Sequence, residues 1–472
     1  MSPVLDQARD LFHDGVGHFE AGRLAQAEGC FAAALVLAPG RPSLLTNLGV
    51  TRVRLGKAAE ALPLLEQATA AEPDNLEAWA HLAMAHERLA HPVEALACCD
   101  RALAIDAAQP GVWLQRGQLL VRMNRAEEAL AAFNQATHFG PDHADAWSHK
   151  GTLLREVHRL EEAATCFERA IALGADAQVH QYFLASVRGG AAPPTAPRGY
   201  VQFLFDDYAD EFQHHLVDLL GYQGHTLLVA HLARVAPRRF RSALDLGCGT
   251  GLCGPLVHPL ADRVDGLDVS AGMLAKAKTL GVYTELVQAD AATDLLASGR
   301  HDDLVLAADV FIYIGALGPV FDGVAHILVP GGVFCFTVEL LTGAGDMQLL
   351  PSLRYAHSEN HVRQLAEAHG FRVLATVTAP LRQDQQQPVA GLYVYLTKPG
   401  RAAAPTIYTK HLLAINKRFW YGSRHGPCCR RNHPRRKTPA RPAPQDGGRA
   451  RRRQSPAGTH HLGGPAVSPQ RV

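Results

Sequence analysis

The stretch "ALDLGCGTGLCG", residues 243–254, joins an apolar run to a glycine-rich turn. Its glycines fit two overlapping patterns. Gly249, Gly251 and Gly254 spell G-x-G-x-x-G, whereas Asp245 and the three glycines from Gly247 to Gly251 spell D-x-G-x-G-x-G. In both patterns glycine lets the backbone turn sharply after a strand and lie close to a ligand. The stretch therefore predicts a strand, a ligand-binding loop and a helix.

Residues 200–399 extend this pattern to a whole domain. Segment 200–236 predicts a helical lead-in, and seven apolar strands follow, most of them separated by helical segments. This alternation predicts a Rossmann-like α/β domain with a seven-stranded, mostly parallel sheet. We expect the functional site at the carboxyl ends of the strands, where such sheets bind their ligands.

Acidic residues at three strands bear on the choice of cofactor. Asp268 ends the second strand, 19 residues after Gly249, and fits either pattern, because an acid there binds ribose hydroxyls. Asp245 stands inside the first strand, where the dinucleotide pattern has an apolar residue. S-Adenosylmethionine carries an ammonium and no phosphate, so an acid suits its methionine end. Asp290 ends the third strand, in place for the adenine amino group. These positions favour S-adenosylmethionine over a nicotinamide dinucleotide.

Residues 8–177 repeat with a period of 34 residues. The tryptophans and the small residues recur in register, as in the columns Trp79, Trp113, Trp147 and Ala27, Ala61, Ala95, Ala129, Ala163. The register resembles five tetratricopeptide (TPR) repeats, which implies a helical solenoid whose concave groove binds a protein or peptide. A column of arginines, Arg54, Arg88 and Arg122, has two interpretations. It clamps an acidic peptide, or it places cations at helix C-termini.

A Gly/Pro-rich segment separates the repeats from the α/β domain, so residues 178–199 are expected to be a linker. The repeats, this segment and the motifs "LFDDYADEF", "LDLGCGTG", "GLDVS", "AADVFIYIG" and "RYAHSENHV" together resemble the bacterial TPR-containing class I methyltransferases over residues 8–399. The resemblance implies a last strand that returns antiparallel after Gly331 and Gly332. It also implies that the loop of Gly247, Gly249 and Gly251 holds S-adenosylmethionine.

Candidates for the chemistry follow from the same motifs. Asp309 is a charged residue in an apolar run at the end of the fourth strand, and Tyr313 follows it, so both are acceptor-site candidates. Arg354, Tyr355 and His357 of "RYAHSENHV" are placed to orient or deprotonate an acceptor; the alternative for His357 is a solvated loop residue. The resemblance implies that Tyr208 belongs to a lid over the donor; the alternative is that Tyr208 packs its helix on the sheet.

The charge of the chain is uneven. Lys and Arg number 46 and Asp and Glu 45, but residues 421–472 hold 12 of the basic residues and a single acid. The body is therefore acidic, which argues against a nucleic-acid surface on it. Segment 400–472 is basic and rich in Pro, Gly and Arg. It is expected to be disordered, either without function or in contact with nucleic acid or an anionic membrane.

The remaining composition predicts a cytoplasmic protein. The nine cysteines are scattered without a C-x-x-C pair, no apolar run is long enough to span a bilayer, and the first residues lack a secretory signal. No residues show metal-ligand spacing, so no metal is expected.

Three functional hypotheses stay open. The first is an S-adenosylmethionine-dependent methyltransferase of unidentified acceptor, whose TPR array recruits a protein substrate or partner. The second is a catalytically silent TPR adaptor, and the third is an NAD-dependent oxidoreductase.

Overall fold

The computed structural model describes residues 3–190, 192–208, 221–291, 293–384 and 387–400. At residues 207, 208 and 384 the structure describes the backbone but not the side chain. The basic segment expected after residue 400 and the side chain of Tyr208 lie outside the described part of the chain. None of the described helices is both long and apolar enough to cross a membrane.

Ten helices fill residues 3–172 and pack in consecutive pairs, one pair to each repeat. They are α1 (Pro3–Glu20), α2 (Leu24–Leu37), α3 (Pro42–Arg54), α4 (Ala58–Ala71), α5 (Leu76–Arg88), α6 (Pro92–Ile105), α7 (Pro110–Arg122), α8 (Ala126–Phe139), α9 (Ala144–Glu156) and α10 (Leu160–Ala172). Small residues bring the two helices of a pair together. Phe133, for example, lies so close to Gly117 that a Cβ there would be 2.3 Å from the ring.

The tryptophan and arginine columns both hold neighbouring repeats together. Each indole N–H donates to the carbonyl oxygen six residues earlier, in the turn before its helix. Arg54 stacks over the ring of Phe19 in the preceding repeat. Arg88 donates to the Val53 carbonyl, and Arg122 pairs with Glu87 of the preceding repeat. These contacts support the structural interpretation of the arginine column over a peptide clamp.

Within the described residues, the second half of the chain forms a sheet of nine strands. These are β1 (Phe240–Leu246), β2 (Ala261–Asp268), β3 (Glu285–Gln288), β4 (Asp302–Ala307), β5 (Leu328–Leu340), β6 (Met347–Leu349), β7 (Tyr355–His357), β8 (Arg372–Asp384) and β9 (Gln387–Thr397). Seven of them follow the order β3-β2-β1-β4-β5-β9-β8, in which β9 runs antiparallel to the other six. The expected seven-stranded sheet is present. The three-residue strands β6 and β7 extend it at the carboxyl end of β5.

Helices cover both faces of this sheet. They are α12 (Arg198–Tyr208), α13 (Gly224–Val235), α14 (Gly254–Val257), α15 (Ala271–Thr279), α16 (Gly318–Ile327) and α17 (Glu359–Ala368). Phe321 of α16 and Val362 of α17 belong to the apolar core of one face. Leu228 and Leu232 of α13 belong to the core of the other face. Because both faces are buried, the central strands carry mainly apolar side chains.

A helix occupies the first part of the segment expected to be a linker. This is α11 (Ala177–Arg188), which packs on α10 and buries Tyr182 completely. The rest of the segment, which we call the hinge (residues 192–197), is bonded to the sheet domain. The backbone N–H of Ala196 donates to the carbonyl of Tyr313 at 2.9 Å. The Pro194 carbonyl accepts from the N–H groups of Gly315 and Ala316.

The last repeat also contacts the segment between β6 and β7. Arg155 of α9 donates to the Pro351 carbonyl at 2.5 Å, and the Tyr182 hydroxyl donates to the Leu353 carbonyl. Tyr182 and Leu353 share one apolar cluster with Tyr355 of β7. The repeats and the sheet domain are therefore joined by a continuous buried core.

Candidate active site

A cavity opens at the carboxyl ends of β1, β2 and β4. We call one side of it the loop half: it comprises Asp245, the glycine loop 247–253 and the ends of β2 and β3. We call the other side the hinge half: it comprises the hinge, α12, Tyr222, His225, segment 308–314 and Arg354. Of the residues expected to bind a cofactor, the loop half contains Asp245, Gly247, Gly249, Asp268 and Asp290.

Glycine is required where β1 ends. Gly247 has a φ of +67°, and a Cβ at this position would lie 2.5 Å from Val310. Its backbone N–H donates to the Leu267 carbonyl at 2.7 Å. The loop therefore turns back against the end of β2 in a conformation that a larger residue would strain.

The Asp268 carboxylate is held by the glycine loop. One oxygen accepts the N–H of Gly249 at 2.8 Å, and the other accepts the N–H of Ser270 at 2.9 Å. Burial raises the pKa of Asp268, although these amide N–H groups oppose the rise. Since each oxygen has a second lone pair, the fixed carboxylate is able to accept two neighbouring hydroxyls from the cavity.

Asp245 has a partner that the sequence did not suggest. The Tyr283 hydroxyl donates to its Oδ2 at 2.6 Å. Burial raises the pKa of Asp245 to about 7, and this hydrogen bond opposes the rise. The Tyr283 ring packs on the glycine loop, where a Cβ on Gly254 would lie 2.7 Å from it. Gly254 thus makes room for Tyr283, which accounts for the apparent G-x-G-x-x-G pattern.

The other two expected loop positions differ from each other. Asp290 lines the cavity between Ala289 and Ala291. Gly251 is not among the lining residues, and its Cα faces Leu280 and Tyr283 instead. Thr250, beside it, does line the cavity, and its buried hydroxyl has no hydrogen-bond partner within the described residues. A bound ligand would supply that partner.

Helix α12 is fastened over the cavity by an acidic side chain. Oδ1 of Asp206 accepts the Ser270 hydroxyl at 2.5 Å and the N–H of Gly272 at 3.2 Å, at the start of α15. The hydrogen bond from Ser270 holds the pKa of Asp206 below its usual value. Next to it, Phe205 packs edge-on against the ring of Tyr313 with centroids 5.4 Å apart.

Asp309 lies in a turn just after β4, with a φ of +61°. Its N–H donates to the Thr337 hydroxyl at 2.8 Å. Its carboxylate accepts from Nη1 of Arg382 at 3.3 Å, and the same guanidinium bonds Glu339. Burial raises the pKa of Asp309, while Arg382 acts to lower it. Such a strained, buried carboxylate at a strand end is typical of a functional position.

Three further groups face the hinge half. Arg354 is 5% exposed and lines the cavity close to Tyr313, which is also a lining residue. The buried Tyr222 hydroxyl has no partner within the described residues, and its ring stacks on His225. His225 is likewise a lining residue, and its Nδ1 atom is buried without a described partner.

His357 is not brought to the cavity. It lies in β7, fully buried, with Nε2 3.0 Å from the Ile314 carbonyl oxygen. Burial lowers its pKa to about 4. It is therefore neither a solvated loop residue nor a lining residue, and we remove it from the catalytic candidates. The described ranges contain no cluster of His, Cys, Asp or Glu able to hold a metal ion.

Residues 243–332 match the family model described as a methyltransferase domain. Residues 52–119 and 114–186 match two models of the tetratricopeptide repeat. The chain carries a methyltransferase domain behind a TPR array.

Curated relatives match part of the chain. Malonyl-[acyl-carrier protein] O-methyltransferase of Enterobacter lignolyticus is 37% identical over 127 residues, which are 27% of this chain and 48% of that protein. Trans-aconitate 2-methyltransferase of Rhizobium leguminosarum bv. trifolii is 33% identical over 129 residues, 27% of this chain and 49% of that protein. The chain thus spans about half the length of these relatives. One similar solved structure is magnesium protoporphyrin IX methyltransferase of Synechocystis PCC 6803 with bound SAH. The match covers 43% of this chain and 99% of that chain, with 17% identity and a TM-score of 0.34.

The sequence did not single out several residues of the methyltransferase domain that shape the site. Tyr283 and Thr250 lie within or close to motifs that were recognised, but their types alone carried no signal. Tyr222 and His225 lie in "GYQGHTLL", a segment expected only to be helical. Arg382 belongs to β8, 73 residues after Asp309, so its contact with Asp309 depends on long-range packing.

Proposed function

We propose that this protein is an S-adenosylmethionine-dependent methyltransferase whose donor binds in the loop half and whose acceptor binds in the hinge half. The observation that carries the proposal is the Asp268 carboxylate, fixed by the Gly249 and Ser270 amides with lone pairs left for the cavity. The relatives named above are methyltransferases by name, which supports the same class of reaction.

Each expected loop residue then has a task. Asp268 would accept the two ribose hydroxyls, and Asp290 would accept the adenine amino group. Asp245 would face the ammonium of the methionine end, with Tyr283 fixing its carboxylate. The unpartnered Thr250 hydroxyl would bond the same end of the donor. A dinucleotide would place phosphate, not ammonium, near Asp245, which disfavours the NAD alternative.

The donor supplies an activated methyl group, so the residues of the hinge half mainly align the acceptor and exclude water. Phe205 and Val310 provide apolar walls. Asp309 and Tyr313 stay in the set of acceptor-site residues, because both line the hinge half. Tyr208 stays a candidate donor contact, outside the described side chains.

We further propose that the TPR array recruits a protein substrate or partner, and that the protein works in the cytoplasm. The cysteines within the described ranges are all free thiols, in keeping with a reducing compartment. A silent adaptor is the alternative. The presence of Asp245, Asp268 and Asp290 together at one cavity counts against it, because a scaffold has no use for three such carboxylates.

Calorimetric titration with S-adenosylhomocysteine tests donor binding. We expect the wild type to bind and Asp268→Ala to bind at least about 100-fold more weakly, since two charge-assisted hydrogen bonds are lost. Asp262→Ala, an exposed carboxylate paired with Arg239, is the matched control and should bind normally. Wild-type protein that binds neither S-adenosylmethionine nor its product would refute the proposal. A fluorescence titration with NADH tests the oxidoreductase alternative.

A further inference from the structure

Arg354 presents a buried positive charge to the hinge half of the cavity. It is 5% exposed, and it forms no ion pair with any residue that the structure describes. Its guanidinium interacts with the Tyr313 hydroxyl and, electrostatically, with the Asp309 carboxylate. A buried guanidinium is costly unless an anion pairs with it. The hinge half is therefore suited to an anionic ligand.

Two tyrosine hydroxyls lie in the same half. Burial raises the pKa of both Tyr222 and Tyr313, so each keeps its proton and acts as a hydrogen-bond donor. The Tyr222 hydroxyl is buried and, within the described residues, has no acceptor of its own. A second guanidinium, that of the exposed Arg198, lines the cavity as well. The hinge half thus offers several donors to one ligand.

The carboxylates nearest these donors are already neutralised. Arg382 is 2% exposed and bonds both Asp309 and Glu339. Asp309 therefore faces the cavity as the partner of a fixed cation. Arg354 lines the cavity, whereas Arg382 is not among the lining residues.

From this arrangement we infer that the methyl acceptor is a carboxylate, held by Arg354 with Tyr222 and Tyr313 donating to its oxygens. The inference rests on the proposed methyltransferase function. An oxygen lone pair of the carboxylate forms the new O–CH₃ bond, and the C–S electron pair stays on sulfur. The products are a neutral methyl ester and a neutral thioether. The acceptor loses no proton, so the site needs no general base. The positive charge of the sulfonium and the negative charge of the carboxylate are both lost in the step, which a buried site favours.

An acceptor with a proton to lose, such as an alcohol or an amine, would need a base. His225 is the imidazole that lines the cavity, and burial lowers its pKa so that it is neutral near pH 7. Its unpartnered Nδ1 makes it the base that such an acceptor would use. With a carboxylate as the acceptor, His225 takes no part in proton transfer.

The stability of the methylated product in alkali distinguishes a carboxylate acceptor from an alcohol or amine acceptor. The full chain is incubated with methyl-tritiated S-adenosylmethionine and a fractionated cell lysate, and the label is then treated with mild alkali. A methyl ester releases the label as volatile methanol, whereas an N-methyl or ether product keeps it. Volatile label in the protein fraction indicates a carboxylate on a protein, and volatile label in the metabolite fraction indicates a small acid. Label that resists alkali overturns the inference and leaves the proposed function standing.

Variants test the named residues. Arg354→Met should reduce volatile label at least 100-fold with donor affinity unchanged, whereas Arg241→Met, an exposed arginine of β1 outside the cavity lining, should match the wild type. Tyr222→Phe should reduce transfer about tenfold without lowering the melting temperature, because it removes a buried hydroxyl that has no described partner. His225→Gln should reduce transfer much less than Arg354→Met does, because the carboxylate acceptor has no proton to lose. Activity lost in His225→Gln and kept in Arg354→Met overturns the inference.

A direct probe covers the case in which the lysate holds no acceptor. The full chain saturated with S-adenosylhomocysteine is titrated with acetate, succinate and benzoate at constant ionic strength, each paired with its amide. We expect at least one carboxylate to raise the melting temperature by more than its amide does, and Arg354→Met to abolish the difference. Equal effects of every acid and its amide overturn the inference. If the wild type does not bind S-adenosylhomocysteine in the first place, the proposed function fails instead.

Discussion

The two halves of the cavity differ in how their polar groups are satisfied. In the loop half, Asp268 is bonded by two backbone amides and Asp245 by Tyr283. In the hinge half, the Tyr222 hydroxyl lacks a described partner and Arg354 lacks a described counter-ion. The protein thus fixes both of these loop-half carboxylates by itself, although the Thr250 hydroxyl there lacks a described partner. The hinge half instead leaves a buried cation and a buried hydroxyl to be completed by a ligand. A site that serves one common cofactor and one particular acceptor needs this division.

The two halves also differ in where their residues come from. The loop half is built from strands β1 to β3, which follow one another within residues 240–291. The hinge half draws on residues from Thr195 to Arg354, and Arg382 supports it from β8. Changes in the loop half should therefore act on donor binding, and changes in the hinge half on transfer to the acceptor.

The largest expected effect is at the start of the glycine loop. Gly247→Ala forces a Cβ to within 2.5 Å of Val310 at a φ of +67°. We expect about 2–4 kcal/mol of lost stability and donor binding too weak to detect by calorimetry. Gly249→Ala has a similar φ of +55° but open space around the new Cβ, so denaturant unfolding should show a loss of only about 1–2 kcal/mol. Equal losses in the two variants would mean that the contact with Val310 does not matter.

The second prediction uses the pKa of Asp245, which burial raises to about 7. Between pH 3.8 and about 7 this carboxyl holds its proton more tightly in the folded chain than in the unfolded chain. Its contribution to stability is therefore full below pH 3.8 and is lost as the pH rises through about 7. Donor affinity should show the opposite trend, because the ammonium prefers the ionised carboxylate.

Calorimetry from about pH 5.5 to about pH 8.5 measures this trend, with a fall in donor affinity of up to about tenfold per pH unit below pH 7. Asp245→Asn should bind the donor weakly at every pH, with a nearly flat profile. A wild-type profile as flat as that of Asp245→Asn would remove Asp245 from the donor site.

The smallest expected effect lies where α11 supports the hinge half. Tyr182→Phe removes the hydrogen bond to the Leu353 carbonyl, next to Arg354, and should cost about 1 kcal/mol of stability. We expect transfer to the acceptor to fall a few-fold through a higher KM, while the Kd for S-adenosylhomocysteine stays within about twofold. A change in donor Kd with unaltered KM would show that the two halves are not separable.

The sequence allowed the loop half to be predicted because its signals are local. Asp245, Gly247, Asp268 and Asp290 each stand at or near the end of a predicted strand, and parallel strands bring their carboxyl ends together. In the hinge half, Asp309 and Tyr313 were predicted for the same reason, and Arg354 was predicted from its motif. Tyr222 and Arg354 meet there through long-range packing, which a pattern of apolar residues does not encode.

The prediction for His357 shows the same limit. Its motif suggested a loop, but β7 adds to the end of β5 and buries the imidazole against Ile314. Successive residues of a strand point to opposite faces of the sheet, so a shift of one residue exchanges a cavity-lining position for a buried one. The face that His357 occupies is set by the pairing of β7 with β5, which the motif does not encode.

The hinge residues 192–197 bear on whether the sheet domain can be separated from the repeats. Pro194 and Ala196 are bonded to the turn that carries Tyr313, and the Pro193 carbonyl accepts the Tyr355 hydroxyl at 2.6 Å. A fragment cut at residue 200, the expected domain boundary, would lose this wall of the cavity together with Tyr182. The hinge half is therefore a joint product of both domains. Under the proposed function, exchanging the TPR array for that of another protein would alter the preference for the acceptor as well as for the partner.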